Sequence, residues 1–177
     1  MKLVILDRDG TINEDSDAYI KSPAEWRPLK GSLEAIARLT QADYRIVVAT
    51  NQSGIARKYF DTRTLFSIHE TLLRALAPLG GRIDAFFFCP HLPDDACACR
   101  KPKPGMLLEI GRRFNVPLGE VAMVGDALRD LEAAAAAGVK PVLVLTGKGA
   151  KTMADGGLPP GTRIFPDLEA FAEQLAP

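Results

Sequence analysis

The chain carries no excess of either charge. Lysine plus arginine and aspartate plus glutamate number 22 each, so no broad basic face is offered to nucleic acid or to an anionic membrane. No apolar run approaches the roughly 20 residues that cross a bilayer. Met1 to Leu6 begins like a secretory signal, but Asp7, Arg8 and Asp9 end the apolar stretch too early. A cytoplasmic protein without nucleic-acid or membrane partners is therefore expected. Cysteine is scarce, with three residues, all between positions 89 and 99. In a reducing compartment such a cluster binds metal more often than it forms disulfides. Internal repeats and long linkers are also missing. With 177 residues, 47% of them hydrophobic, one domain over 1–177 with a sizeable core is expected.

What is present alternates. Short apolar runs rich in β-branched or aromatic residues occur at Leu3–Leu6, Arg45–Ala49, Ile83–Phe88, Val121–Val124 and Pro141–Leu145. Continuous runs of this kind suit strands buried on both faces, as in a parallel sheet. Helical patterns lie between them at Ser32–Thr40, Thr62–Leu79, Gly105–Phe114 and Leu128–Ala137, the last followed by Gly138 as a C-cap. Asp155–Gly161 reads as a Gly/Pro-rich surface loop. Strand and helix in alternation predict an α/β fold with a doubly wound parallel sheet.

In open α/β sheets, ligands bind beyond the carboxyl ends of the strands. Three of the predicted strand ends carry unusual chemistry: Asp7-Arg8-Asp9-Gly10-Thr11, Thr50-Asn51-Gln52-Ser53-Gly54, and Gly125-Asp126 with Asp130 four residues on. Lys101 lies in the loop after the third strand. Asp7 and Asp9, two residues apart on an extended chain, point the same way. Such like charges need a cation, and a site of carboxylate oxygens suits Mg²⁺, with Asp126 as a further ligand. A carboxylate nucleophile, a metal and a lysine together suit phosphoryl transfer.

These residues resemble the four motifs of the haloacid dehalogenase (HAD) superfamily of phosphatases. Asp7 to Thr11 resembles the first, Thr50-Asn51 the second, Lys101 the third, and Gly125-Asp126 with Asp130 the fourth. The likeness runs from about residue 3 to 147. It implies that Asp7 attacks phosphorus, and that Asp9 protonates the leaving alcohol and then activates water. It also implies that Thr50 and Lys101 hold phosphoryl oxygens, and that Mg²⁺ sits on Asp7, the Asp9 backbone carbonyl and Asp126, with Asp130 in support or capping the next helix.

Cys89-Pro90-His91 followed by Cys97-Ala98-Cys99 places four N/S ligands in a short loop, a donor set for a closed, structural zinc site. Zinc would order a loop over 89–99 that has little core of its own. It would also aim Arg100 and Lys101 at the phosphate pocket. This insert resembles the zinc-containing subgroup of the superfamily that lacks a large cap domain and dephosphorylates a heptose bisphosphate or histidinol phosphate. Thr50 to Arg57 and Arg100 to Leu107 look like the heptose enzymes. Ala127, where those enzymes carry Lys, and the short zinc loop depart from them.

The resemblance implies a small phosphorylated sugar as substrate, with Gln52 and Ser53 beside Thr50 and Asn51 as binding candidates. Arg100 is a spare cation for a second phosphate. Asp15, Ser16, Asp17 and Ala18 form a flap that could meet sugar hydroxyls or an amine. A monomer is expected. Trp26 is expected to anchor the flap and His69 to lie on the surface of its helix, while Arg57 and Lys58 suit a solvated helix start. Three rival classes fit the sequence less well. A receiver module carries its phosphoacceptor elsewhere, a zinc-stabilised binding module would not need complete motifs, and a polynucleotide 3′-phosphatase would need a basic surface.

Overall fold

The computed structural model describes residues 1–177. Its sheet has six parallel strands: β1 (Lys2–Leu6), β2 (Tyr44–Asn51), β3 (Ala85–Cys89), β4 (Ala122–Gly125), β5 (Lys140–Val144) and β6 (Arg163–Phe165), in the order β3-β2-β1-β4-β5-β6. The chain starts in the middle, winds outward to β3, then crosses back to β4 and winds out the other way. β1 and β4 therefore flank the switch point, where open α/β sheets open a crevice.

Alternation along each strand builds two cores. Val4 and Leu6 pair in register with Ile46 and Val48 and face one side. There they meet α1 (Ser32–Gln41), α2 (Thr62–Leu76) and α6 (Leu168–Leu175). Leu3, Ile5, Val47, Ala49 and Met123 face the other side, against α3 (Gly105–Phe114) and α4 (Leu128–Ala137). Strands covered on both faces have no polar side to show, hence the unbroken apolar runs. Gly138 ends α4 in the left-handed conformation, φ 72°, as its position predicts.

Three elements went unassigned in the sequence: β6, α5 (Gly149–Asp155) and α6. Helix α2 is shorter than its apolar pattern. It stops at Leu76 and a 3₁₀ turn follows over Ala77–Leu79, because Pro78 has no N–H with which to continue the ladder. Residues 7–31 and 52–84, the two places where a cap could be inserted, hold loops, two 3₁₀ turns and α2, and no separate cap domain. No helix is long and apolar enough to cross a membrane.

Candidate active site

The crevice at the switch point is a cavity of about 240 Å³. Its wall includes Asp7, Asp9, Asp15, Ser16, Asp17, Thr50, Asn51, Gln52, Ser53 and Arg100, all expected from the sequence. Residues from the ends of β1 and β2, the flap after β1 and the loop after β3 thus converge on one space.

Asp7 follows the last residue of β1 and is almost fully buried. Its Oδ1 accepts the Arg8 N–H at 2.7 Å and lies 3.0 Å from Lys101 Nζ. Both contacts are made by Oδ1, and Oδ2 has no hydrogen-bond partner in the protein. Burial, with the Asp130 charge adding to it, pushes the Asp7 pKa up to about 6.

Asp9 is gripped from several directions. Arg8 Nε donates to Oδ1 at 3.0 Å and Nη2 to Oδ2 at 3.1 Å, a planar fork on a planar carboxylate. Asn13 Nδ2 donates at 2.9 Å and Gln52 Nε2 at 3.0 Å. Against the penalty of burial, the Arg8 charge and these bonds hold Asp9 below the ordinary carboxylate value.

Asp126 follows β4 and sits in a cradle made by two glycines. A Cβ on Gly10 would stand 2.1 Å from Asp126 Oδ2, and one on Gly147 would stand 2.3 Å from it. Both glycines have positive φ, 81° and 53°, a conformation that other residues adopt with strain. Oδ2 accepts the Lys148 N–H at 2.8 Å, whereas Oδ1 is buried with no partner at all. Burial, with the Asp7 and Asp130 charges adding to it, pushes Asp126 up to about 7. Ligand oxygens of Asp7, Asp126 and Asp130 all lie within 4.8 Å of one another. An orphaned carboxylate oxygen beside a second buried carboxylate fits a hard divalent cation such as Mg²⁺.

Lys101 is placed differently from the sequence expectation. Its ammonium does not line the cavity. It is buried behind Asp7, donating to the Ala49 carbonyl at 2.7 Å and lying 2.6 Å from Asp130 Oδ1 as well as 3.0 Å from Asp7. Its three donors are thereby occupied. Asn51 holds that loop by a pair of bonds to the Lys101 backbone, at 3.0 and 3.1 Å. Asp130 makes two contacts. It caps α4 through the Ala127 N–H at 3.1 Å, and its Oδ1 pairs with the Lys101 ammonium at 2.6 Å.

Ala18 is exposed and is not part of the cavity wall, since its turn points the methyl outward. Its N–H bonds the Ser16 hydroxyl at 3.1 Å. Arg57 and Lys58 are exposed and away from the cavity. Trp26 is buried in the core next to the flap. His69 is not a surface residue: it is 4% exposed. It belongs to the buried stripe of α2, with Leu65, Ile68, Leu72 and Leu76, a spacing that the sequence already contained.

Two cations were missed. Arg129 and Lys148 both line the cavity. Lys148 is spoken for, lying 3.1 Å from Asp15 and 3.3 Å from Asp17 of the flap. Arg129 has a buried Nε without a partner. Asp130, Asp7 and Asp126 raise its pKa against the opposing effect of burial.

The cysteine loop lies beside the cavity. Cys89 Sγ is 3.8 Å from Cys97 Sγ and 3.4 Å from His91 Nδ1, and Cys99 Sγ is 3.3 Å from His91 Nδ1. All four donor atoms lie within 4.8 Å of one another. A tetrahedron with bonds of about 2.3 Å has edges of about 3.8 Å, so these spacings fit a metal and are far too long for a disulfide. Burial pushes the Cys89 thiol up to about 12, and a bound cation would reverse that.

A doubly wound sheet with this carboxylate arrangement at its switch point defines a HAD-type hydrolase, and a HAD-hydrolase-like family model matches residues 98–171. Over 175 residues the chain is 65% identical to the D-glycero-beta-D-manno-heptose-1,7-bisphosphate 7-phosphatase of Bordetella bronchiseptica, covering 99% of this chain and 98% of that one. The enzyme of the same name from Pseudomonas aeruginosa is 54% identical, covering 98% and 97%. The chain belongs to the D-glycero-beta-D-manno-heptose-1,7-bisphosphate 7-phosphatase family. A crystal structure of the B. bronchiseptica D,D-heptose 1,7-bisphosphate phosphatase complexed with magnesium and phosphate superposes with a TM-score of 0.98 at 64% identity, covering 99% of this chain and 98% of that one. The Burkholderia thailandensis counterpart gives 0.80 at 52%, with coverage of 99% and 98%.

Proposed function

We propose that this protein is a magnesium-dependent phosphatase that removes the C7 phosphate of D-glycero-D-manno-heptose 1,7-bisphosphate, in the supply of activated heptose for surface polysaccharide. The observation that carries the reading is the end-to-end identity with heptose bisphosphatases. It is joined to a cavity whose cations exceed the needs of one phosphate. Arg100 and Arg129 both line it, and neither ion-pairs with a carboxylate.

In this reading Asp7 Oδ2 attacks phosphorus. The bond from phosphorus to the C7 oxygen breaks, and Asp9 gives that oxygen its proton. Asp9 is ionised in the resting site; an incoming phosphate dianion raises its affinity for the proton that it then donates. Water deprotonated by Asp9 next attacks the aspartyl phosphate, releasing inorganic phosphate and restoring Asp7. Mg²⁺ would be held by Asp7, Asp126 and the Asp9 backbone carbonyl, and when bound it supplies positive charge to the carboxylates and the phosphoryl oxygens. Thr50, Asn51, Gln52 and Ser53 shape the pocket around the phosphoryl group. Lys101 keeps Asp7 charged and in place. Asp15, Ser16 and Asp17 of the flap face the sugar, and Arg100 and Arg129 take the second phosphate.

Zinc on Cys89, His91, Cys97 and Cys99 is a structural part of the same proposal, supported by the fit of the donor spacings. So is action in the cytosol, where thiols stay reduced. A single domain acting as a monomer is consistent with a site drawn from one chain. A panel of phosphorylated sugars and histidinol phosphate, ranked by kcat/KM, tests the reading. The heptose bisphosphate is expected at the top. Histidinol phosphate, whose amine the Arg100 and Arg129 guanidinium groups repel, is expected far below it, and the reverse order would overturn the assignment.

A further inference from the structure

Helix α2 buries a histidine for which the reaction scheme has no use. His69 lies with its ring parallel to that of Phe86 in β3, centroids 4.1 Å apart and planes inclined by 10°. Its Nε2 is 3.3 Å from Arg8 Nη1. A guanidinium has donors only, so Nε2 must be the acceptor and the ring proton must sit on Nδ1. Burial, and then the Arg8 charge, push the His69 pKa down to about 3, so the ring is neutral. Arg8 is itself wholly buried, and the remainder of its guanidinium forms the fork on both oxygens of Asp9.

We propose that His69 is a positioning residue for the phosphatase reaction: through Arg8 it sets the orientation of the Asp9 carboxylate. The proposal rests on the reading of Asp9 as the proton donor. The choice of side chain has a physical reason. An apolar residue at position 69 would leave a buried Nη1 without an acceptor, and the guanidinium would turn to find one. A carboxylate there would satisfy Nη1 but would compete with Asp9 for the charge of Arg8. A neutral imidazole accepts one hydrogen bond and leaves that charge on Asp9. The stack against Phe86 fixes the plane of the ring, and with it the direction from which the acceptor is offered.

The test uses two variants and two leaving groups. His69→Phe keeps a ring to stack on Phe86 and removes the acceptor. His69→Gln removes the ring and keeps a neutral acceptor. For each, kcat/KM is measured with an alkyl phosphate (the sugar bisphosphate) and with 4-nitrophenyl phosphate, whose leaving group needs no proton. This parameter covers the steps up to formation of the aspartyl phosphate. His69→Phe should lose about 10- to 100-fold on the alkyl phosphate, part of the range that general acid catalysis contributes, and no more than about threefold on the aryl phosphate. His69→Gln should recover most of the alkyl activity. Equal losses on both substrates would overturn the proposal. Asp9→Asn, assayed alongside, separates the two readings. If Asp9→Asn discriminates between the leaving groups and His69→Phe does not, only the role of His69 falls. If Asp9→Asn shows no discrimination, the proton-donor reading falls and takes the His69 proposal with it. Should His69→Phe not fold, Arg8→Lys, which keeps the charge and loses the fork, must show the same discrimination or the proposal is wrong.

Discussion

Lys101 Nζ and Asp7 Oδ1 form an ion pair 3.0 Å long at a depth where both side chains are almost completely enclosed. The same ammonium binds Asp130 at 2.6 Å. Replacing Lys101 by Met keeps the volume and removes the charge, so two buried carboxylates lose their partner. Breaking a buried pair from one side costs on the order of 3–5 kcal/mol. Lys101→Met should lower the thermal midpoint clearly and abolish most turnover, because an Asp7 held still further above the usual carboxylate range is a poor nucleophile. Thermal denaturation together with kcat checks this, and a variant of parental stability and rate would contradict it.

Asp126 gives a prediction that depends on pH and metal. Its pKa is raised to about 7 in the folded chain from an ordinary 3.8. Between those values the folded state binds more protons than the unfolded state, so this group makes stability fall as pH rises from about 4 to 7. Asp126→Asn removes that effect. Without divalent ion at pH 8 the variant should be more stable than the parent by on the order of 4 kcal/mol, and the difference should shrink below pH 4. Mg²⁺ should stabilise the parent, by about 2.7 kcal/mol at a hundred times its Kd, and should hardly affect the variant. Thermal melts across pH with and without Mg²⁺ decide the matter.

The cysteine loop reaches the active site through its backbone. Lys103 Nζ donates to the Cys97 carbonyl at 2.7 Å, Gly105 N–H to that of Ala98 at 3.1 Å, and Arg100 Nη1 to that of His91 at 3.3 Å. One zinc per chain is expected by elemental analysis of protein prepared without chelator. Cys97→Ala should release it, raise the proteolytic sensitivity of residues 89–103, and depress kcat by displacing Lys101 from Asp7. Zinc-free protein with full activity would contradict the structural role.

How far the sequence reached can be judged from particular residues. The four central strands, β2, β1, β4 and β5, were legible because burial on both faces writes itself as an apolar run, and the half-buried edge strand β3 because its aromatic run is unbroken. β6 was not: it has three residues, two of them exposed. The carboxylates that line the crevice were legible because strand ends with paired acids are uncommon. Lys101 was found but misplaced, since its position in a loop says nothing of whether the ammonium looks into the cavity or sits beneath Asp7. Arg129 was missed because an arginine in the first turn of a helix reads as a solvated one, and only the tertiary fold turns it into the crevice. His69 was misread although Leu65, Ile68 and Leu72 share its stripe, because a histidine among leucines gives no sign of the arginine beneath it.

Arg100 and Arg129 carry the claim for a second phosphate. Arg100→Ala should raise KM for the bisphosphate by about tenfold or more, the order of a lost charge-assisted hydrogen bond. KM for a small monophosphate should change by less than about twofold. Arg129→Ala should behave alike, with an added fall in kcat because Asp7 and Asp126 lose a nearby positive charge. Equal effects on both substrates would remove these residues from the second-phosphate site.

The most direct measurement is phosphorus NMR of the reaction with D-glycero-D-manno-heptose 1,7-bisphosphate and Mg²⁺. The C7 phosphate signal should disappear as inorganic phosphate grows, the C1 phosphate signal should remain, and Asp7→Asn should leave both signals intact. Loss of the C1 phosphate first, or unchanged release by Asp7→Asn, would contradict the account.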